Sequence, residues 1–118
     1  MPVIEIAALL PHDGLDVAAA LGAVTTEVAA FLDEEPRGTW AVFHPIAPGH
    51  YAEGTDAPMA QPEQTHPAVV RVFASRPPER AAALLEAVGT AVVRAFGLRE
   101  GNVFVRFEWA DPDRTYWG

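Results

Sequence analysis

At 118 residues, half of them apolar and a fifth charged, the chain has the size and composition of one globular domain rather than two independent cores or a disordered segment. Its formal charge of −8 speaks against nucleic acid, which demands a dense basic surface, but leaves a small anionic substrate open. The absence of cysteine excludes a disulfide framework and thiolate chemistry, and four scattered histidines offer no dense ligand cluster for zinc.

No apolar run approaches the ~20 residues that cross a bilayer, and Met1-Pro2-Val3-Ile4-Glu5 lacks the basic region of a secretory signal. The expectation is therefore a cytoplasmic protein with no membrane partner, metal or cofactor. In so acidic a chain the arginines are the natural anchors for a carboxylate, Arg76 and Arg106 foremost.

In chain order, Val3 to Ile6 reads as a strand, ended by the turn cluster Pro11 to Gly14. Val17, Leu21, Val24, Val28, Phe31 and Leu32 recur at the spacing of one helical face, with Asp13 or Asp16 as its cap and Pro36-Arg37-Gly38 as its stop. Thr39 to His44 is a second strand. A Pro/Gly-rich hairpin through Pro45, Pro48, Gly49 and Gly54 follows.

A polar stretch over 55–66 separates this first repeat (2–54) from a second (67–118). Val69 to Phe73 is its strand, Arg76-Pro77-Pro78-Glu79 its helix entry, and proline suits a first helical turn. Leu84, Leu85, Val88, Val92 and Phe96 form the helical face, Gly97 its C-cap, and Asn102 to Trp109 the last strand, turned by Asp111-Pro112-Asp113. Sliding the chain on itself by about 64 residues sets Leu21 on Leu85, Val24 on Val88, Val28 on Val92, Phe43 on Phe107 and Pro48 on Pro112. That offset also puts the His66-Pro67 pair where the second repeat's counterpart of Pro2 would stand.

The repeat predicts a single domain of α/β (α+β) class: two fused β-α-β units making a four-stranded sheet, with both helices on one face. The other face still carries apolar side chains, which favours an oligomer whose sheets face inward. A ferredoxin-like module is the alternative with the same element order.

The opening Met1-Pro2-Val3-Ile4-Glu5-Ile6 and the hairpin Ile46 to Gly54 resemble those of the 4-oxalocrotonate tautomerase group. The two-repeat length resembles the fused members of that superfamily, which include macrophage migration inhibitory factor and cis-3-chloroacrylic acid dehalogenase. The resemblance implies a homotrimer with the sheets as an inner barrel. It also implies a proline-based tautomerase acting on small 2-oxo or enol carboxylates.

By that resemblance Pro2, freed of Met1, is the catalytic base, Arg76 holds the substrate carboxylate beside it, and Tyr51 keeps the aromatic near the hairpin tip. Apolar surroundings disfavour the ammonium form of such an amine and leave it as free base at neutral pH. His12 and Trp40 stand where the group usually carries arginines. They are expected at the substrate together with Arg106. Those two departures give weight to a non-catalytic binding or signalling protein on the same scaffold. A dehalogenase or decarboxylase variant would need a further water-activating acid.

Overall fold

Alternating burial along most of each strand and a helical period between the strands give each half one β-α-β unit. The computed structural model describes residues 2–9, 14–52, 68–74, 79–111 and 113–116. Strand β1 (Val3–Ala8) leads into helix α1 (Val17–Leu32), a short 3-10 turn at Pro36–Gly38 and strand β2 (Trp40–Pro45). Strand β3 (Ala68–Ala74), helix α2 (Ala81–Phe96) and strand β4 (Val103–Trp109) repeat the order.

The strands form one sheet in the order β2-β1-β3-β4. Each half contributes a parallel pair, and the halves meet through antiparallel β1 and β3. On the helix side β1 buries Ile4, Ile6 and Ala8, and β3 buries Ala68, Val70 and Val72. Against them lie Ala20, Val24 and Val28 of α1 and Leu84, Val88, Val92 and Phe96 of α2. Each branched side chain so buried is worth about 1.5–3 kcal/mol, which is what holds the helices to one face. Phe96 also stacks on Phe43 at 5.2 Å between ring centroids, tying α2 to the first half. Gly89 lets α2 lie close on β4, since a Cβ there would stand 3.4 Å from Val103 and Val105.

The helix ends follow local chemistry. The Asp16 carboxylate accepts the Ala19 N–H at 3.0 Å and caps α1. That helix stops at Leu32, before the expected Pro36-Arg37-Gly38, because Asp33 turns left-handed at φ 55°. Pro36–Gly38 instead forms the 3-10 turn. Helix α2 ends on Gly97 at φ 65°, as expected. The expected helix entry at Arg76-Pro77-Pro78 lies outside the described residues, and α2 begins at Ala81.

The repeat is not a single offset. Ala8 pairs with Pro45 in the first half and Ala74 with Trp109 in the second, so β1 maps onto β3 at 66 residues and β2 onto β4 at 64. The cause is the strand-to-helix connection, eight residues in the first half (9–16) and six in the second (75–80). The register therefore places Ala68, not His66-Pro67, at the position of Pro2; residues 66 and 67 themselves lie outside the described set.

The opposite face of the sheet is open, in three rows. Trp40, Val3, Phe73 and Glu108 form one; Val42, Glu5, Arg71 and Arg106 the next; His44, Ala7, Val69 and Phe104 the third. Trp40 is 45% exposed and Phe104 60%, which is unusual for large rings on a sheet face.

Candidate active site

Pro2 precedes β1 and is fully buried. Its carbonyl accepts the Trp40 N–H at 3.0 Å, which fixes the start of β1 against the start of β2. By alternation with Ile4 and Ile6, Pro2 points to the helix side, while Trp40 points to the open face. Of the residues singled out in the sequence, Pro2 and Trp40 are thus brought together by backbone pairing, though on opposite sides of the sheet.

The other expected site residues stand apart. Arg106 lies on β4, two strands from β1 on the open face, with its guanidinium 3.7 Å from Glu108. Tyr51 follows β2, and Ile46 N–H donates to the carbonyl of Ala8, so the segment that carries Tyr51 departs from β2 at the end opposite Pro2. His12 and Arg76 lie outside the described residues. Strand β3 ends at Ala74, one residue beyond the Val3 partner Phe73, and therefore on Pro2's side of the sheet; β1 ends at Ala8, on the far side.

Charge on the open face is internally compensated. Arg71 donates to Glu5 at 2.8 Å and lies 3.9 Å from Glu108. The hydrogen bond to Glu5 is the largest reason that the Arg71 pKa is raised, followed by the charge of Glu5; desolvation opposes them, and the charge of Glu108 adds least. With Arg106 on Glu108, this makes a four-residue chain of alternating sign across the middle of the face.

Three residues at Pro2's end of the molecule had no site role assigned from the sequence. Arg37 lies in the turn before β2, and Arg80 precedes α2 with its guanidinium 4.9 Å above the Phe31 ring. Both are exposed cations at Pro2's end of the molecule, brought there only by the path of the chain. The third is Thr39, one residue before Trp40, which pairs with Val3 and donates to the Pro2 carbonyl. It is 3% exposed and its hydroxyl has no hydrogen-bond partner among the described residues. Leaving a buried hydroxyl unpaired costs about 1–3 kcal/mol. A groove between α2 and β4, lined by Leu85, Gly89, Val93 and Val105, runs towards the far end of α2 and does not include Pro2.

Solved structures share this architecture over nearly the whole chain. A native fused 4-OT superposes with a TM-score of 0.78 at 14% identity, covering 98% of this chain and 92% of that one. A macrophage migration inhibitory factor-like protein from Entamoeba histolytica gives 0.73 at 8%, with 99% and 95% covered. The chain has the tautomerase fold. A further protein with this tautomerase fold, crystallised after inactivation by 2-oxo-3-pentynoate, gives 0.71 at 18%, with 92% and 85% covered. Other fused 4-OT structures with the fold are described as symmetric or asymmetric trimers. No family model and no curated protein sequence matches the chain. The tautomerase fold thus rests on the course of the backbone rather than on sequence likeness. No described helix is long and apolar enough to cross a membrane.

Proposed function

We propose that the chain is a proline-based tautomerase, an isomerase of small 2-oxo or enol carboxylates, assembled as a cytoplasmic homotrimer. The observation that carries this is the place of Pro2: buried, next to the N-terminus, and fixed by the Trp40 hydrogen bond at the start of β1 in a tautomerase fold. With Met1 removed, Pro2 presents a secondary amine. Its lone pair takes a proton from the carbon beside the substrate carbonyl, giving the enol, and returns it at another carbon. Nothing is oxidised or lost. Burial disfavours the ammonium form and keeps the amine a base at neutral pH.

The trimer supplies what one chain separates. Tyr51 and Arg106 lie away from Pro2 within a chain, so their roles as the site's aromatic and as a substrate cation require a second copy beside the first. The open face, mostly apolar in its outer rows and with its charges paired through Glu5, Arg71, Glu108 and Arg106, has the composition of a surface covered by its own kind. Arg76, and Arg37 or Arg80 in support, would hold the carboxylate through a planar fork suited to it.

The test is an intact-mass spectrum of the untagged protein before and after 2-oxo-3-pentynoate, an electrophile that a nucleophilic amine adds to. Loss of Met1 and a single adduct mapped to Pro2 are expected. A chain that lacks Met1, is trimeric and takes up no adduct overturns the proposal. The non-catalytic reading, favoured by Trp40 standing where an arginine is usual, then takes its place.

A further inference from the structure

We propose that the Thr39 hydroxyl is the positioning partner of the Pro2 amine, accepting its N–H and turning the lone pair towards the substrate. This rests on the reading that Pro2 becomes a free amine. Three observations carry it.

The first is adjacency. Val3 pairs with Trp40 and the Pro2 carbonyl takes the Trp40 N–H, which sets Pro2 and Thr39 side by side in a parallel pair. Neighbouring strands lie about 4.8 Å apart, within a side chain's reach. Thr39 alternates with Ala41 and Phe43, which pack against the core, so it shares the helix side with Pro2. The second is the unpaired hydroxyl. While Met1 is attached, the Pro2 nitrogen is a tertiary amide with neither a proton to donate nor a basic lone pair. Once it is a secondary amine it carries one N–H as the free base and two as the ammonium. A buried hydroxyl with no partner then gains one.

The third is an internal control. The register places Ala68 at the position of Pro2 and Val103 at that of Thr39, because Ala68 pairs with Val103. Valine is threonine with the hydroxyl replaced by a methyl. In the half whose strand begins inside the chain, with no amine to hold, the polar atom is absent. Where an amine can exist, it is present.

A free secondary amine has a proton on one side of nitrogen and its lone pair on the other. Accepting the proton fixes the direction of the pair, and a hydroxyl that accepts is worth more to the ammonium than to the base, raising the pKa of the amine. The charged groups on the elements that meet at this corner are Asp33, Glu34, Glu35 and Arg37 between α1 and β2, Glu79 and Arg80 before α2, and Glu108 on β4. Each is at least partly exposed, and none changes when Thr39 is substituted.

The experiment uses the full chain beginning at Pro2, verified by intact mass, with proline labelled with nitrogen-15. The titration of the Pro2 nitrogen is followed by NMR in the parent, Thr39→Val and Thr39→Ser. Thr39→Val is expected to lower the amine pKa, to move the acid limb of kcat/KM to lower pH and to reduce its plateau about tenfold. Thr39→Ser restores both.

A parallel arm compares melting temperatures. In a chain that keeps Met1, Thr39→Val removes only an unpaired hydroxyl and holds or raises Tm; in the chain beginning at Pro2 it lowers Tm. An unchanged or raised amine pKa in Thr39→Val, or the same Tm response in both chains, overturns the assignment. If Pro2 answers to Thr39 while no oxo acid turns over, the assignment stands and the proton-transfer reading fails.

Discussion

The two halves of the chain are one plan carried out with different residues, and their differences separate what the fold requires from what the site requires. Both helices have sixteen residues and stand 64 apart, and both present a valine pair to the sheet, Val24 and Val28 or Val88 and Val92. At the ends the halves diverge. The first helix is capped by the Asp16 carboxylate and closed by a strained Asp33; the second has no side-chain cap at Arg80 and closes on Gly97. At the strand starts Pro2 and Thr39 face Ala68 and Val103 as counterparts. Both halves bury an apolar core, but among the described residues a buried polar side chain beside a potential amine occurs in one. Apolar residues report the shared scaffold, and the departures from symmetry fall where the proposed site lies.

The largest expected effect breaks the comparison at Pro2. Pro2→Ala is expected to lower kcat/KM by about 10²–10⁴, the usual contribution of a general base, with the oligomer unchanged by size-exclusion chromatography with light scattering. Full activity in that variant would leave the two strand starts functionally alike.

Next comes the core, where the second half is the heavier. Phe96 is fully buried and stacked, whereas its counterpart Leu32 is half-buried. Phe96→Ala is expected to cost about 3–5 kcal/mol in urea unfolding. Leu32→Ala should cost distinctly less, and equal losses would show that the halves share the load evenly.

The caps give smaller differences. Asp16→Ala is expected to cost about 1 kcal/mol, because an N–H of α1 loses its acceptor. Arg80→Ala loses only a surface cation over Phe31, about 0.5–1 kcal/mol at most. The smallest effect is a gain: Asp33→Gly relieves a left-handed non-glycine residue and should raise Tm by a few degrees, as about 0.5–1 kcal/mol does in a domain of this size.

Much of the fold was legible because periodicity is a property of local sequence. The spacing of Val17 to Leu32 and of Leu84 to Phe96 marks two helical faces, and the duplication marks two units. The register was not legible. It depends on connections of eight and six residues, a difference that a single sliding offset of 64 averages away, and this is why Ala68 rather than His66-Pro67 proved to be the counterpart of Pro2.

For the site, Pro2 stood out by its position, but its neighbour Thr39 did not. A lone threonine at a strand start is ordinary until pairing shows what lies beside it. Its one trace in the sequence is that the 64-residue offset sets it on Val103, a polar residue matched with an apolar one. Tyr51 and Arg106 were readable as residue types, but within one chain neither stands beside Pro2. The roles proposed for them would depend on packing between copies, which no single sequence encodes locally.

The Ala68 strand start has a consequence for ancestry. A polypeptide has one amino terminus, so joining two ancestral units end to end converts the second unit's terminal amine into a peptide nitrogen. One amino terminus then serves two β-α-β units, and the internal strand start at Ala68 carries a peptide nitrogen with no amine chemistry to constrain its neighbours.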